Sequence, residues 1–149
     1  ILKHLNLKAY QQLLFTSMRY GEPRSLDGNS HHAVTPKTAI LCVTGIAQPA
    51  PYVEHLKQMT DQIDHITFPD HHNYSDTDIK RIIQEYEKIS ITDKCIFTTE
   101  KDAVRLTLCD IPEEIRRQIF YIPIEPEFLT PRDQLIKNIY DYVRQDTRK

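Results

Sequence analysis

A chain of 149 residues is long enough for one domain with a sizeable core and too short for two comfortable ones. Its 19 Lys plus Arg stand against 21 Asp plus Glu, a formal charge of −2 that offers no basic field for gripping nucleic acid, so no nucleic-acid partner is expected. Three widely spaced cysteines, Cys42, Cys95 and Cys109, suit reduced thiols in a cytosol rather than a disulfide framework.

The chain opens on Ile1, and "ILKHLNLK" reads like the end of an element already under way, so a piece of a longer protein is expected. No signal-peptide pattern stands at the front, and no apolar run approaches the roughly 20 residues that span a bilayer. The expectation is a soluble or at most peripheral protein. The first strand-like run is "LLFTSMRY" (13–20). The polar stretch "GEPRSLDGNSHHAVTPK" (21–37), with two Gly and two Pro, reads as a hinge. Residues 1–36 are therefore expected to be the tail of a preceding lobe plus hinge, and 37–149 an α/β lobe. Further strands are "TAILCVT" (38–44), "HITF" (65–68), "CIFTT" (95–99) and "IFYIPI" (119–124).

Helical segments alternate with these runs, the signature of an α/β fold with a mostly parallel sheet flanked by helices. One helix is expected after Pro51, on Tyr52, Val53, Leu56 and Met59. A second runs from about Asp76 to Ile89, with Ile79, Ile82, Ile83, Tyr86 and Ile89 on one stripe. Ser75 is its expected N-cap and Asp78 the third helical residue, a carboxylate variant of the capping box. A last helix starts at Pro131 after Thr130, with Leu135, Ile136, Ile139, Tyr142 and Val143 on its buried side.

Three segments could carry chemistry. None of Gly21, Gly28 and Gly45 opens a GxxxxGK[ST] or GxGxxG pattern, so a phosphate-cradling glycine loop is absent. In "FPDHHNYSDTDI" (68–79), Asp70, His71 and His72 follow a short strand, at the sheet edge where open α/β sheets bind ligands. An imidazole there could serve as a general base, orient a carboxylate or ligate a metal, and the same residues also suit a solvated loop. The other histidines show no companion spacing for a metal, so no metal ligand is assigned. In "FTTEKDAVRL" (97–106), Thr99 with Asp102 fits a helix N-cap, while Lys101 or the first-turn N–H groups could face an anion at the same edge. In "TGIAQPAPYVEHL" (44–56), Gly45 reads as scaffold, allowing a backbone conformation or close packing. His31 and His32 lie in the polar stretch and read as surface loop.

Taken in order, these three blocks resemble the C-terminal half of the tetraacyldisaccharide 4'-kinase (lipid A 4'-kinase) family. Its pattern is roughly a strand followed by GI-x-x-P-x-x-F, then F-x-DH near a helix start, then TEKDAVK. The match lies at Gly45, Ile46 and Pro49, at Asp70 and His71, and at Thr99 through Val104, with departures at Tyr52 for Phe and Arg105 for Lys. The resemblance covers the chain from about Leu13 onward and is weakest before Lys37 and after Leu106.

The resemblance implies a Rossmann-like, P-loop-kinase-like C-terminal lobe that lacks the P-loop. It also implies transfer of the ATP γ-phosphate to the 4'-hydroxyl of a lipid A precursor disaccharide at the cytoplasmic face of the bacterial inner membrane, through peripheral contact. ATP and Mg²⁺ would be bound mainly by an N-terminal P-loop lobe missing here, so the isolated chain is expected to be inactive. His71, with a carboxylate from that lobe, would activate the hydroxyl, and Asp70 would brace the loop. Thr99, Glu100, Lys101 and Asp102 would border the same cleft as substrate-binding residues. Two other readings stay open: a DHH-type metal-dependent phosphoesterase, spelled by Asp70-His71-His72, and a non-catalytic α/β binding domain.

Overall fold

The computed structural model describes residues 6, 8, 11, 13–129 and 133–146. It divides into a larger unit, Tyr20–Ile124, and a smaller one built from residues up to Arg19 together with those from Glu125 onward.

Four runs of the larger unit form parallel strands: β3 (Ala39–Thr44), β4 (Ile63–Thr67), β5 (Lys94–Thr99) and β6 (Ile119–Ile122). With β2 (Arg24–Ser25), which runs antiparallel to β6, the order across the sheet is β2-β6-β5-β3-β4. The strands expected at 38–44 and 95–99 are present, the one expected at 119–124 ends at Ile122, and the one expected at 65–68 runs from Ile63 to Thr67. All six residues of β3 are buried because it is central and covered on both faces. Alternation then sorts the core. Ile40, Cys42, Cys95, Phe97, Phe120 and Ile122 share one face with Tyr52 and Leu56 of helix α1 (Ala50–Leu56). Leu41, Val43, Ile96 and Ile119 share the other with Ile79, Ile82 and Tyr86 of α2 (Asp76–Lys88) and Leu106 of α3 (Glu100–Leu106).

Helix α2 has both halves of the expected capping box. Ser75 Oγ accepts from Asp78 N at 3.3 Å and Asp78 Oδ2 accepts from Ser75 N at 2.8 Å. Its apolar stripe buries Ile79, Ile82 and Tyr86, and full burial of such side chains stabilises by about 1.5–3 kcal/mol each. Helix α1 ends at Leu56, so Met59 packs from the turn beyond it. A one-turn helix α4 (Glu113–Arg116) leads into β6.

Three expectations are corrected. The stretch 21–37, expected as a hinge, is tied to the sheet edge near its start, where β2 pairs with β6 and Leu26 N donates to Ile119 O at 2.8 Å, while most of its residues are exposed. Residues 20–124, this stretch included, belong to the larger unit. The run 13–20 does not enter the main sheet; β1 (Thr16–Tyr20) pairs with β7 (Ile124–Phe128) in a two-stranded sheet of its own. Pro123, without an N–H, separates β6 from β7. The last helix, α5 (Asp133–Asp146), is present; of its expected buried side Leu135 and Ile136 are half-buried, while Ile139, Tyr142 and Val143 are exposed. Thr130 and Pro131 lie outside the described residues.

Candidate functional site

The chain leaves β3 through α1 on one face, then returns over β3 through α2 on the other face to reach β5. Reversal of direction forces the crossovers to opposite faces when each is right-handed. The carboxyl ends of β3 and β5 therefore part at a topological switch point, where open α/β sheets place their ligands. The loops after β3, β4 and β5 are the three segments singled out above.

Their chemistry centres on a buried carboxylate. Asp102, in the first turn of α3, is fully enclosed. Its Oδ2 accepts from Gly45 N at 2.9 Å and from Thr99 Oγ1 at 2.7 Å, and its Oδ1 from Arg105 Nη1 at 3.0 Å. Thr99 Oγ1 in turn accepts from Asp102 N at 3.2 Å, the expected N-cap. A buried carboxylate demands such partners, and here they come from both sides of the switch point. Gly45 is required by close approach. A Cβ there would sit 3.0 Å from Asp102 Oδ1 and 3.1 Å from the Tyr74 hydroxyl. Burial first, then the charge of Asp102, pushes the Tyr74 hydroxyl well above its ordinary range and keeps it protonated.

Arg105 carries this network to the surface. Its Nη2 lies 3.3 Å from His71 Nδ1. The His71 side chain is 77% exposed, with its other ring nitrogen 3.6 Å from Asp70 Oδ2. Its backbone is held at φ +58° in the left-handed region, and its N–H donates to Asp70 Oδ1 at 3.0 Å. Asp70 thus braces the turn. His72 points the other way, stacking on Phe68 at 4.7 Å between ring centroids and meeting Asp78 Oδ2 at 3.0 Å. The two adjacent histidines divide the work: His72 ties the loop to α2, and His71 projects into the open.

Thr99 and Asp102 are enclosed, Glu100 is half-buried and Lys101 exposed. His71 and Lys101 thus lie at the surface of this rim, with Glu100 half-buried and Thr99 and Asp102 inside it. His32 is elsewhere, 3.0 Å from Asp93 near the amino-terminal start of the sheet. Among the described residues, no three or more His, Cys, Asp or Glu side chains are grouped to hold a metal ion. The Gly45 N–H is already committed to the Asp102 carboxylate and is not offered to another anion. Burial pushes the Cys42 and Cys95 thiols up to about 12, which removes both as nucleophiles.

The sequence model of the tetraacyldisaccharide-1-P 4'-kinase family, LpxK, matches residues 3–144. The chain belongs to this family. Similar curated kinases include the tetraacyldisaccharide 4'-kinase of Bacteroides thetaiotaomicron, 44% identical over 99% of this chain and 42% of its own length. That of Flavobacterium johnsoniae is 32% identical over 95% of this chain and 39% of its own length. The chain thus spans about 42% of the length of the relatives it matches most fully. In fold it is similar to an "apo" form of LpxK from Aquifex aeolicus crystallised in complex with ATP, with a TM-score of 0.56, 15% identity, and coverage of 92% of this chain and 38% of that one.

Against the LpxK pattern, sequence reasoning found Asp70, His71 and the Thr99–Asp102 cap, and treated Arg105 as a mild departure. The structure gives Arg105 the link between two of the family's blocks. The available signal was its three-residue spacing from Asp102, which stacks both on one helical face.

Proposed function

We propose that this chain is the C-terminal portion of a tetraacyldisaccharide 4'-kinase and forms one wall of its acceptor site. In this reading, the ATP γ-phosphate passes to the 4'-hydroxyl of a tetraacyldisaccharide 1-phosphate. His71, with a carboxylate from the portion of the relatives this chain does not span, holds and activates the hydroxyl. Lys101 and Glu100 border the acceptor, and Thr99 and Asp102 fix their helix from behind. ATP and Mg²⁺ fall to that other portion in this reading, because the sequence carries no GxxxxGK[ST] or GxGxxG pattern and the Gly45 N–H is committed to Asp102. An acylated acceptor implies work at a membrane surface, at the cytoplasmic face of the inner membrane, by peripheral contact. Among the described residues no helix is long and apolar enough to cross a membrane.

The observation that carries the reading is the exposed His71 imidazole at the carboxyl rim of a switch point, held by the Arg105–Asp102 pair in a chain of this family. Phosphoryl transfer asks chiefly for an acceptor oxygen held in line and for steering of its proton. In the full-length kinase, His71→Ala should lower turnover by about 10²-fold or more without unfolding the protein. The 149-residue chain alone should not transfer phosphate from ATP. Unchanged turnover in the variant, or ATP-dependent 4'-phosphorylation by the isolated chain, would refute the assignment.

A further inference from the structure

Arg105 bears on the chemical state of His71. A guanidinium has only donors to offer, so the Nη2 contact at 3.3 Å requires His71 Nδ1 to accept through its lone pair. The ring proton then lies on Nε2, the nitrogen on the Asp70 side. Arg105 is itself held: its Nη1 donates to Asp102 Oδ1 at 3.0 Å, and Asp102 is fixed by Gly45 N and Thr99 Oγ1. The chain of contacts runs from a buried, immobile carboxylate through one cation to an exposed imidazole. The charged groups that face His71 are Arg105 from α3 and Asp70 from its own turn.

From this geometry we infer that Arg105 is a positioning residue that holds His71 with Nδ1 accepting and the proton on Nε2, and sets the plane of its ring. His71 consequently meets a ligand as a hydrogen-bond donor through Nε2. Within the kinase reading, on which this functional consequence rests, the oxygen it contacts accepts a hydrogen bond, and the carboxylate of the other portion takes the hydroxyl proton.

Two measurements separate the contact from its use. Nitrogen-15 spectra of this chain with labelled histidine, recorded at pH 8, should show His71 with its proton on Nε2 and an accepting Nδ1. Arg105→Met should bring in an Nδ1–H population, and Arg105→Lys should restore the starting pattern. A wild-type spectrum with the proton on Nδ1, or with both forms averaged, overturns the inference without recourse to any variant. So does a spectrum indifferent to Arg105→Met. In the full-length kinase, Arg105→Met should lower turnover about tenfold with KM for ATP unchanged, and Arg105→Lys should recover most of it. Combined with His71→Ala, Arg105→Met should add nothing, because it acts through the imidazole. Losses that multiply would refute the positioning role, whereas a silent His71→Ala would refute the kinase assignment and leave the spectral result standing.

Discussion

His71 holds φ +58°, a backbone state that costs a residue with a Cβ about 1–2 kcal/mol. Such strain persists only where the surroundings over-determine it. Here Asp70 takes the His71 N–H and Arg105 takes its ring, so the turn aims the imidazole outward at the expense of stability. Backbone and side chain can be separated by experiment. His71→Ala keeps the strain and loses the imidazole, while His71→Gly loses both. Chemical denaturation should find His71→Gly more stable than His71→Ala by about 1 kcal/mol, although both lack the functional group. Equal stability would mean that the turn relaxes once the ring is gone. Asp70 and His71 stand out in the sequence as a polar pair behind a strand, whereas the left-handed turn does not, since histidine is no glycine and the loop has none.

At the scale of elements, α2 supports the site from the side. Its capping box is shared with the loop, because Asp78 Oδ2 accepts from Ser75 N, from Ser75 Oγ at 2.6 Å and from His72. The Ser75 hydroxyl first, then the Ser75 N–H, holds the Asp78 carboxyl down to about 2, below its ordinary value near 3.9. A carboxyl with a depressed folded value stabilises the fold above its unfolded value and loses that contribution as pH falls toward the folded one. Stability should therefore decline between about pH 4 and pH 2. Urea unfolding at pH 5 and pH 2.5 should show a smaller decline for Asp78→Asn than for the unmodified chain. An identical decline would place the acid sensitivity elsewhere. The helix and its cap were readable in "SDTDI" from spacing alone. That His72 completes the cap was not, because the contact depends on where the loop turns.

Across the whole molecule, the five-stranded sheet is the stable body. Its central strands β3 and β5 hold Cys42 and Cys95 with no exposed surface, whereas Cys109 is half-buried after α3. Buried thiols react only when the surrounding structure opens. A thiol reagent applied to the native chain should modify Cys109 at least about tenfold faster than Cys42 or Cys95. Labelling all three at one rate would show that the sheet opens as readily as its margin. The smaller unit behaves differently at this scale, since Ile139, Tyr142 and Val143 repeat at helical spacing yet remain exposed. Period reports that a face is apolar; it does not report what covers it.

The amino-acid sequence by itself determined the local events: which runs of the main sheet form strands, and where α2 and α3 are capped. Each follows from propensity, spacing or capping within a few residues. Only the tertiary structure decided that β1 leaves the main sheet for β7, that the loops after β3, β4 and β5 meet at one rim, and that Asp102 reaches back to Gly45 while Arg105 reaches out to His71. Those contacts join residues 57 and 34 positions apart in the chain, and no local rule encodes them. They arise because a parallel sheet sets successive carboxyl ends side by side and a buried carboxylate must find its donors there.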